Sequence, residues 1–104
     1  MPSAVFELFR QAIAEKKQIV CTYHGLIREV CPHAVGYGPR GNEQALTYQF
    51  GGRSSKGLPA SGEWRCLELP AVRNPTARDG DWHTGDKHTR PQRCVARVVL
   101  EVPH

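Results

Sequence analysis

Cys94-Val95-Ala96-Arg97-Val98-Val99-Leu100-Glu101-Val102 is the stretch on which the fold reading turns. As a strand it would point Cys94, Ala96, Val98, Leu100 and Val102 to one side and Val95, Arg97, Val99 and Glu101 to the other. A period of two over nine residues is the signature of a half-buried strand, because successive side chains cross the pleat. Working back along the chain, four shorter stretches carry the same pattern, and one helical pattern precedes them all.

The helix is predicted over residues 3–17. Ser3 can cap it by accepting from a free backbone N–H of the first turn. Val5, Phe6, Leu8, Phe9, Ala12 and Ile13 recur at spacings of three and four and form one apolar face. Lys16 and Lys17 close it where positive charge suits the dipole. Strands follow over 18–23, 26–35, 43–50, 64–69 and 93–102. His24-Gly25 is a hairpin turn in which Gly supplies positive φ. Pro32, which cannot donate to a ladder, interrupts the second strand. Leu46, Tyr48 and Phe50 share a face of the third. Gly36–Asn42 and the Gly/Ser-rich Gly51–Gly62 read as connections, and 70–92 reads as one long polar loop.

One helix followed by five short strands is the order of the small Sm-like and SH3-like barrels, whose closure removes exposed edges. The expected fold is therefore mainly β, a five-stranded barrel capped by the helix, with an open antiparallel sheet under the helix as the alternative. At 104 residues the chain is predicted to be a single domain, 1–104. That is enough to bury one core, since chains above roughly 55–65 residues commonly fold alone.

The formal net charge is +4, and Arg outnumbers Lys ten to four. Residues 53–104 carry nine basic against six acidic residues; residues 1–52 carry five against four. Arg suits planar, bidentate recognition of phosphate or carboxylate. No apolar run approaches the roughly 18 residues of a membrane span, and Met1–Arg10 has no signal-peptide pattern, so the expected location is cytoplasmic. The four cysteines, at 21, 31, 66 and 94, include no C-x-x-C pair and are expected to be reduced structural thiols, with no metal and no cofactor. Phosphate-loop, nucleophile-elbow and zinc-protease motifs are absent, so no catalytic residue is assigned.

Ala12-Ile13 on the helix, Ile19-x3-Tyr23, Gly25-x2-Arg28-x-Val30-x-Pro32 and Trp64-Arg65-Cys66-Leu67-Glu68-Leu69 occur in this order. Together they resemble the WYL domain, a bacterial module found mostly behind DNA-binding helices in transcription regulators. The resemblance covers roughly residues 4–72 and implies an Sm-like barrel that binds nucleic acid or nucleotide-like ligands through an Arg/aromatic patch. Tyr23 and Arg28 match the family's strand-one Tyr and strand-two Arg, and Arg65 its fourth-strand Arg. With Gln44-Ala45-Leu46 in place of the naming Trp-Tyr-Leu triplet, and three residues ahead of the helix, the resemblance implies a divergent, stand-alone form.

The expected binding residues are Tyr23, Arg28, Tyr48, Arg53 and Arg65. Arg can pair with phosphate oxygens while an aromatic face stacks a base, each stacked base contributing roughly 1–3 kcal/mol. Trp82, His83 and His88 in the long loop are candidates for a lid over the ligand. The expected function is a non-catalytic regulatory module for a nucleotide or single-stranded nucleic acid, with a regulatory protein as a further possible partner. Two alternatives stay open: a protein-interaction barrel, and a small metal-binding protein or hydrolase using the His-containing loop.

Overall fold

A computed structural model describes residues 3–52, 63–83 and 94–102. The helix α1 spans Ala4–Glu15. Ser3 caps it as expected, its hydroxyl accepting from the Phe6 N–H at 3.1 Å. The hydroxyl and backbone N–H of Ser3 also donate to Glu43, tying the helix start to the sheet. The helix stops at Lys16, which adopts the left-handed conformation, and the Lys17 N–H returns to the Ala12 carbonyl. Phe6, Phe9, Ala12 and Ile13 are buried against the sheet. Each removes well over 100 Å² or a methyl-sized surface from water according to its size, which is what holds an otherwise marginal twelve-residue helix.

Six strands follow. They are β1 (Gln18–Tyr23), β2 (Leu26–Tyr37), β3 (Glu43–Gly52), β4 (Glu63–Glu68), β5 (Val72–Arg78) and β6 (Arg97–Glu101), all paired antiparallel. The order is β4-β3-β2-β1-β5, with β6 paired to β2. The protein is thus mainly β with one helix and a six-stranded antiparallel sheet, one strand more than expected, with no ladder between β4 and β5 to close it among the described residues. His24 and Gly25 both have positive φ and make the expected tight β1–β2 turn.

The twelve-residue β2 organises the rest. Its first half pairs with β1, from Tyr23↔Leu26 to Ile19↔Val30. Its second half pairs with β6, from Ala34↔Glu101 to Tyr37↔Arg97. On its other side β3 runs along almost the whole length. Pro32 does not end the strand. It falls where one edge partner gives way to the next, beside the register shift between Pro32 and Ala34, and a bulge is where a residue without N–H is tolerated. At Gly36 the backbone of β6 comes so close that a Cβ would meet the Arg97 carbonyl oxygen and the Val95 side chain.

Three expectations need correction. Residues 70–92 are not one long loop: Leu69–Ala71 forms a single 3-10 turn and Val72–Arg78 is β5. This strand was unreadable because it pairs only with β1, so most of it faces water and is polar, and Pro75 costs an edge strand nothing. The final strand is five residues, not ten, and its alternation fails. Val98 and Val99 are both exposed, at 41% and 49%, while Val95 and Val102 beyond its ends are buried. The register shift opposite Val35 and Gly36 interrupts the expected period.

The third correction concerns the cysteines. Cys21 and Cys31 are buried free thiols, but Cys66 and Cys94 form a disulfide with Cα atoms 5.5 Å apart. It joins β4 to the segment leading into β6, over Ala34, Leu46 and Val95. A closed stretch of 28 residues predicts a contribution of roughly 3–4 kcal/mol from the restricted unfolded chain. The double variant Cys66→Ser, Cys94→Ser should lose that amount in urea unfolding, with reductant having no further effect on it. Equal midpoints for both proteins would show that the bond contributes nothing.

Candidate functional site

The third strand shows how the interior is built. Leu46, Tyr48 and Phe50 do share a face, as the sequence indicated, and Tyr48 packs against Trp64 at 5.1 Å between ring centroids. Ala45, Thr47 and Gln49 point the other way, yet all three are fully buried. Both faces of β3 are therefore covered, and the polar side chains on the second face line an interior. On β4 the same alternation sets Leu67 in the core and aims Arg65 to the same side.

Arg28, Gln49 and Tyr23 meet in that interior. Arg28 is only 5% exposed. Its guanidinium donates to Gln49 Oε1 at 3.3 Å and to the Tyr23 carbonyl at 3.4 Å, and lies 5.4 Å from the Tyr23 ring centroid. Both hydrogen bonds are long, and the buried Nε–H has no acceptor among the described residues. None of the ion pairs among the described residues involves Arg28. Burial first, and then the nearby Arg65 cation, hold the Arg28 guanidinium below its usual range. Arg65 pairs with Glu63 at 2.8 Å. Tyr23 closes the group, its hydroxyl accepting from the Glu68 N–H at 3.1 Å.

Cys21 stands beside Arg28. Burial pushes its thiol up to about 11, with Arg28 acting weakly in the opposite direction. Cys31, on the same strand as Arg28, is also raised by burial; the His83 N–H donates to its sulfur at 3.3 Å.

Of the residues singled out from sequence, Tyr23, Arg28 and Arg65 come together. Tyr48 lies on the other face of β3, with Trp64. Trp82 and His83 gather with aromatic rings: Trp82 lies 4.8 Å from His33, and His83 stacks on Phe50 at 4.1 Å. The turn of chain before them is tied to the sheet by Gln18, whose amide donates to the Asp81 carbonyl at 2.7 Å. Arg53 and His88 lie outside the described residues. Sequence reasoning missed Gln49 and Thr47, because a polar residue alternating with Tyr48 and Phe50 reads as solvent-facing.

No helix among the described residues is long and apolar enough to cross a membrane. Among those residues no cluster of three or more His, Cys, Asp or Glu could hold a metal. No protein-family model matches the chain, nor does any curated protein or solved structure.

An interior cation with no acid against it is expensive to keep. An arginine there for architecture should stabilise the fold; one there for a ligand should not. Arg28→Met, of similar volume and without charge, is expected to change unfolding stability by no more than about 1 kcal/mol, because lost hydrogen bonds and relieved burial of charge offset each other. Phe9→Ala is expected to cost roughly 3–5 kcal/mol. An Arg28→Met loss on the Phe9 scale would make Arg28 a structural group.

Cys21 gives a pH prediction. The folded chain keeps a thiol proton that the unfolded chain gives up, so folding stability should fall as pH rises from the ordinary thiol range toward 11. Cys21→Ala should flatten that part of the profile. An unchanged slope would place the alkaline loss elsewhere.

Proposed function

We propose that this chain is a non-catalytic regulatory module that binds an anionic ligand, a nucleotide or single-stranded nucleic acid, with Arg28 at the centre of the site. The observation that carries this reading is the Arg28 guanidinium: buried, next to a second arginine, without an acid against it among the described residues, and with one N–H unmet. Keeping an unpaired charge inside costs several kcal/mol. An oxyanion between Arg28 and Arg65 offsets that cost through charge-assisted hydrogen bonds. Tyr23 belongs to the site as the ring beneath Arg28; Tyr48, packed on Trp64 on the other face of β3, does not.

The proposal includes the WYL-like family and an Sm-like or SH3-like barrel. Two features support closure. The strands at the ends of the sheet path, β4 and β5, are joined by one 3-10 turn, and the Tyr23 hydroxyl of β1 reaches across to the Glu68 N–H of β4. As a bacterial transcription-regulation module it would act on a partner protein; Trp82 and His83 pack with His33 and Phe50, away from Arg28, and are not part of the ligand site. We place it in the cytoplasm, where the Cys66–Cys94 pair, with Cys66 exposed, would exchange with the thiol pool. A protein-interaction barrel is the second reading, favoured by the exposed Val98 and Val99 on the β6 edge.

Fluorescence anisotropy of a labelled single-stranded oligonucleotide, titrated at two salt concentrations, tests the first reading. Binding should weaken with salt through counterion release. Arg28→Ala should reduce affinity by about tenfold or more. Arg97→Ala, which removes a guanidinium lying 4.8 Å from the Tyr37 ring, should do far less. Equal losses would mean diffuse attraction, and affinity indifferent to salt would rule out phosphate contact.

A further inference from the structure

We infer that the group received between Arg28 and Arg65 is a terminal phosphate, a phosphomonoester at the end of the ligand, and not a phosphodiester within a strand. This rests on the anionic-ligand reading above and narrows it. Three observations carry it.

Depth comes first. Arg28 is 5% exposed, and its neighbours in sequence, Gly25, Leu26 and Ile27, line a surface depression together with Gly52. Gly52 closes against the backbone here: a Cβ on it would meet the Ile27 carbonyl and Arg28 Cα. An internal phosphodiester carries chain on both sides, so it presents its oxygens to cations that stand along an open groove. A terminal phosphate has a single substituent and can enter end-on, leaving the rest of the ligand outside.

Charge comes second. Two guanidiniums act on this point, and of the two only Arg65 has an acid, Glu63, as a partner among the described residues. A phosphomonoester carries about −1.5 to −2 at neutral pH with three acceptor oxygens. A diester carries one negative charge on two free oxygens. The monoester therefore matches the unpaired Arg28 Nε–H and the pair of cations better.

The surface around the opening comes third. Ile27 is 59% exposed, and beside it Gly25 and Gly52 present backbone without side chains. A sugar or base attached to the buried phosphate would rest on this small apolar ledge. Two sources supply such a group: a free mononucleotide and the phosphorylated end of a single strand.

The test uses the full chain and three probes at one salt concentration: 5′-phosphorylated hexathymidylate, the same oligomer with a 5′-hydroxyl, and thymidine 5′-monophosphate as competitor. The phosphorylated oligomer should bind about tenfold or more tighter than the hydroxyl form. Arg28→Met should erase that difference, weakening the phosphorylated oligomer by about tenfold or more relative to the native chain. Competition by the monophosphate at oligomer-like concentration would support the proposal with a mononucleotide as source. Its failure to compete, with the end preference kept, would support it with a strand end as source. Equal binding of both oligomers, both weakened by Arg28→Met, would overturn the terminal-phosphate inference while leaving the anionic-ligand reading intact. No binding of any probe would overturn that reading itself.

Discussion

The twelve-residue β2 is shared by three partners, and nearly every other feature follows from how that strand is divided. Its first half takes β1 and its second half takes β6 on one side, while β3 covers the other. A strand flanked on both sides cannot be hydrated along its backbone, so its ladder must be complete or interrupted only at bulges. Pro32 sits at such an interruption. Gly36 is required where β6 approaches too closely for any side chain. The handover from β1 to β6 also decides which end of the interior the helix covers: α1 packs against β2, β5 and β6, with Phe6 stacked on Tyr37 at 5.5 Å. The apolar core gathers beneath it.

At the hairpin end of β2 the same interior turns polar. Val30 and Ile19 mark the last fully apolar pair before Arg28 and Cys21 face each other across the ladder. A buried lysine could lose its proton and so escape the cost of burial. Arginine cannot at any ordinary pH. The charge is therefore permanent, and among the described residues Gln49 and the Tyr23 carbonyl answer it with dipoles. A carboxylate at position 49 would complete an ion pair with Arg28. The amide found there orients the guanidinium and leaves its charge available.

Much of the fold was legible because the helix and the first strands bury one face or carry decisive turn residues. The apolar spacing from Val5 to Ile13, the His24-Gly25 turn and the Leu46–Tyr48–Phe50 face all read correctly. What could not be read depended on distant neighbours. The edge strand β5 is polar because water, not protein, covers it. The Cys66–Cys94 bond joins residues whose proximity is a product of the topology. The candidate cluster was half legible: Tyr23, Arg28 and Arg65 stood out by type and position, but the inward Gln49 and Thr47 did not. Alternation tells which residues share a face and leaves open which face is buried when both are covered.

The central proposal is that a ligand oxyanion meets the Arg28 Nε–H, which has no acceptor among the described residues. Nitrogen-15 NMR of the arginine Nε–H groups, followed while thymidine 5′-monophosphate is added, addresses it directly. A saturable shift of the Arg28 signal, with slowed exchange of its proton and little change at Arg97, is the predicted result. An Arg28 signal that stays fixed through saturating ligand, or that moves no more than those of surface arginines, would contradict the account.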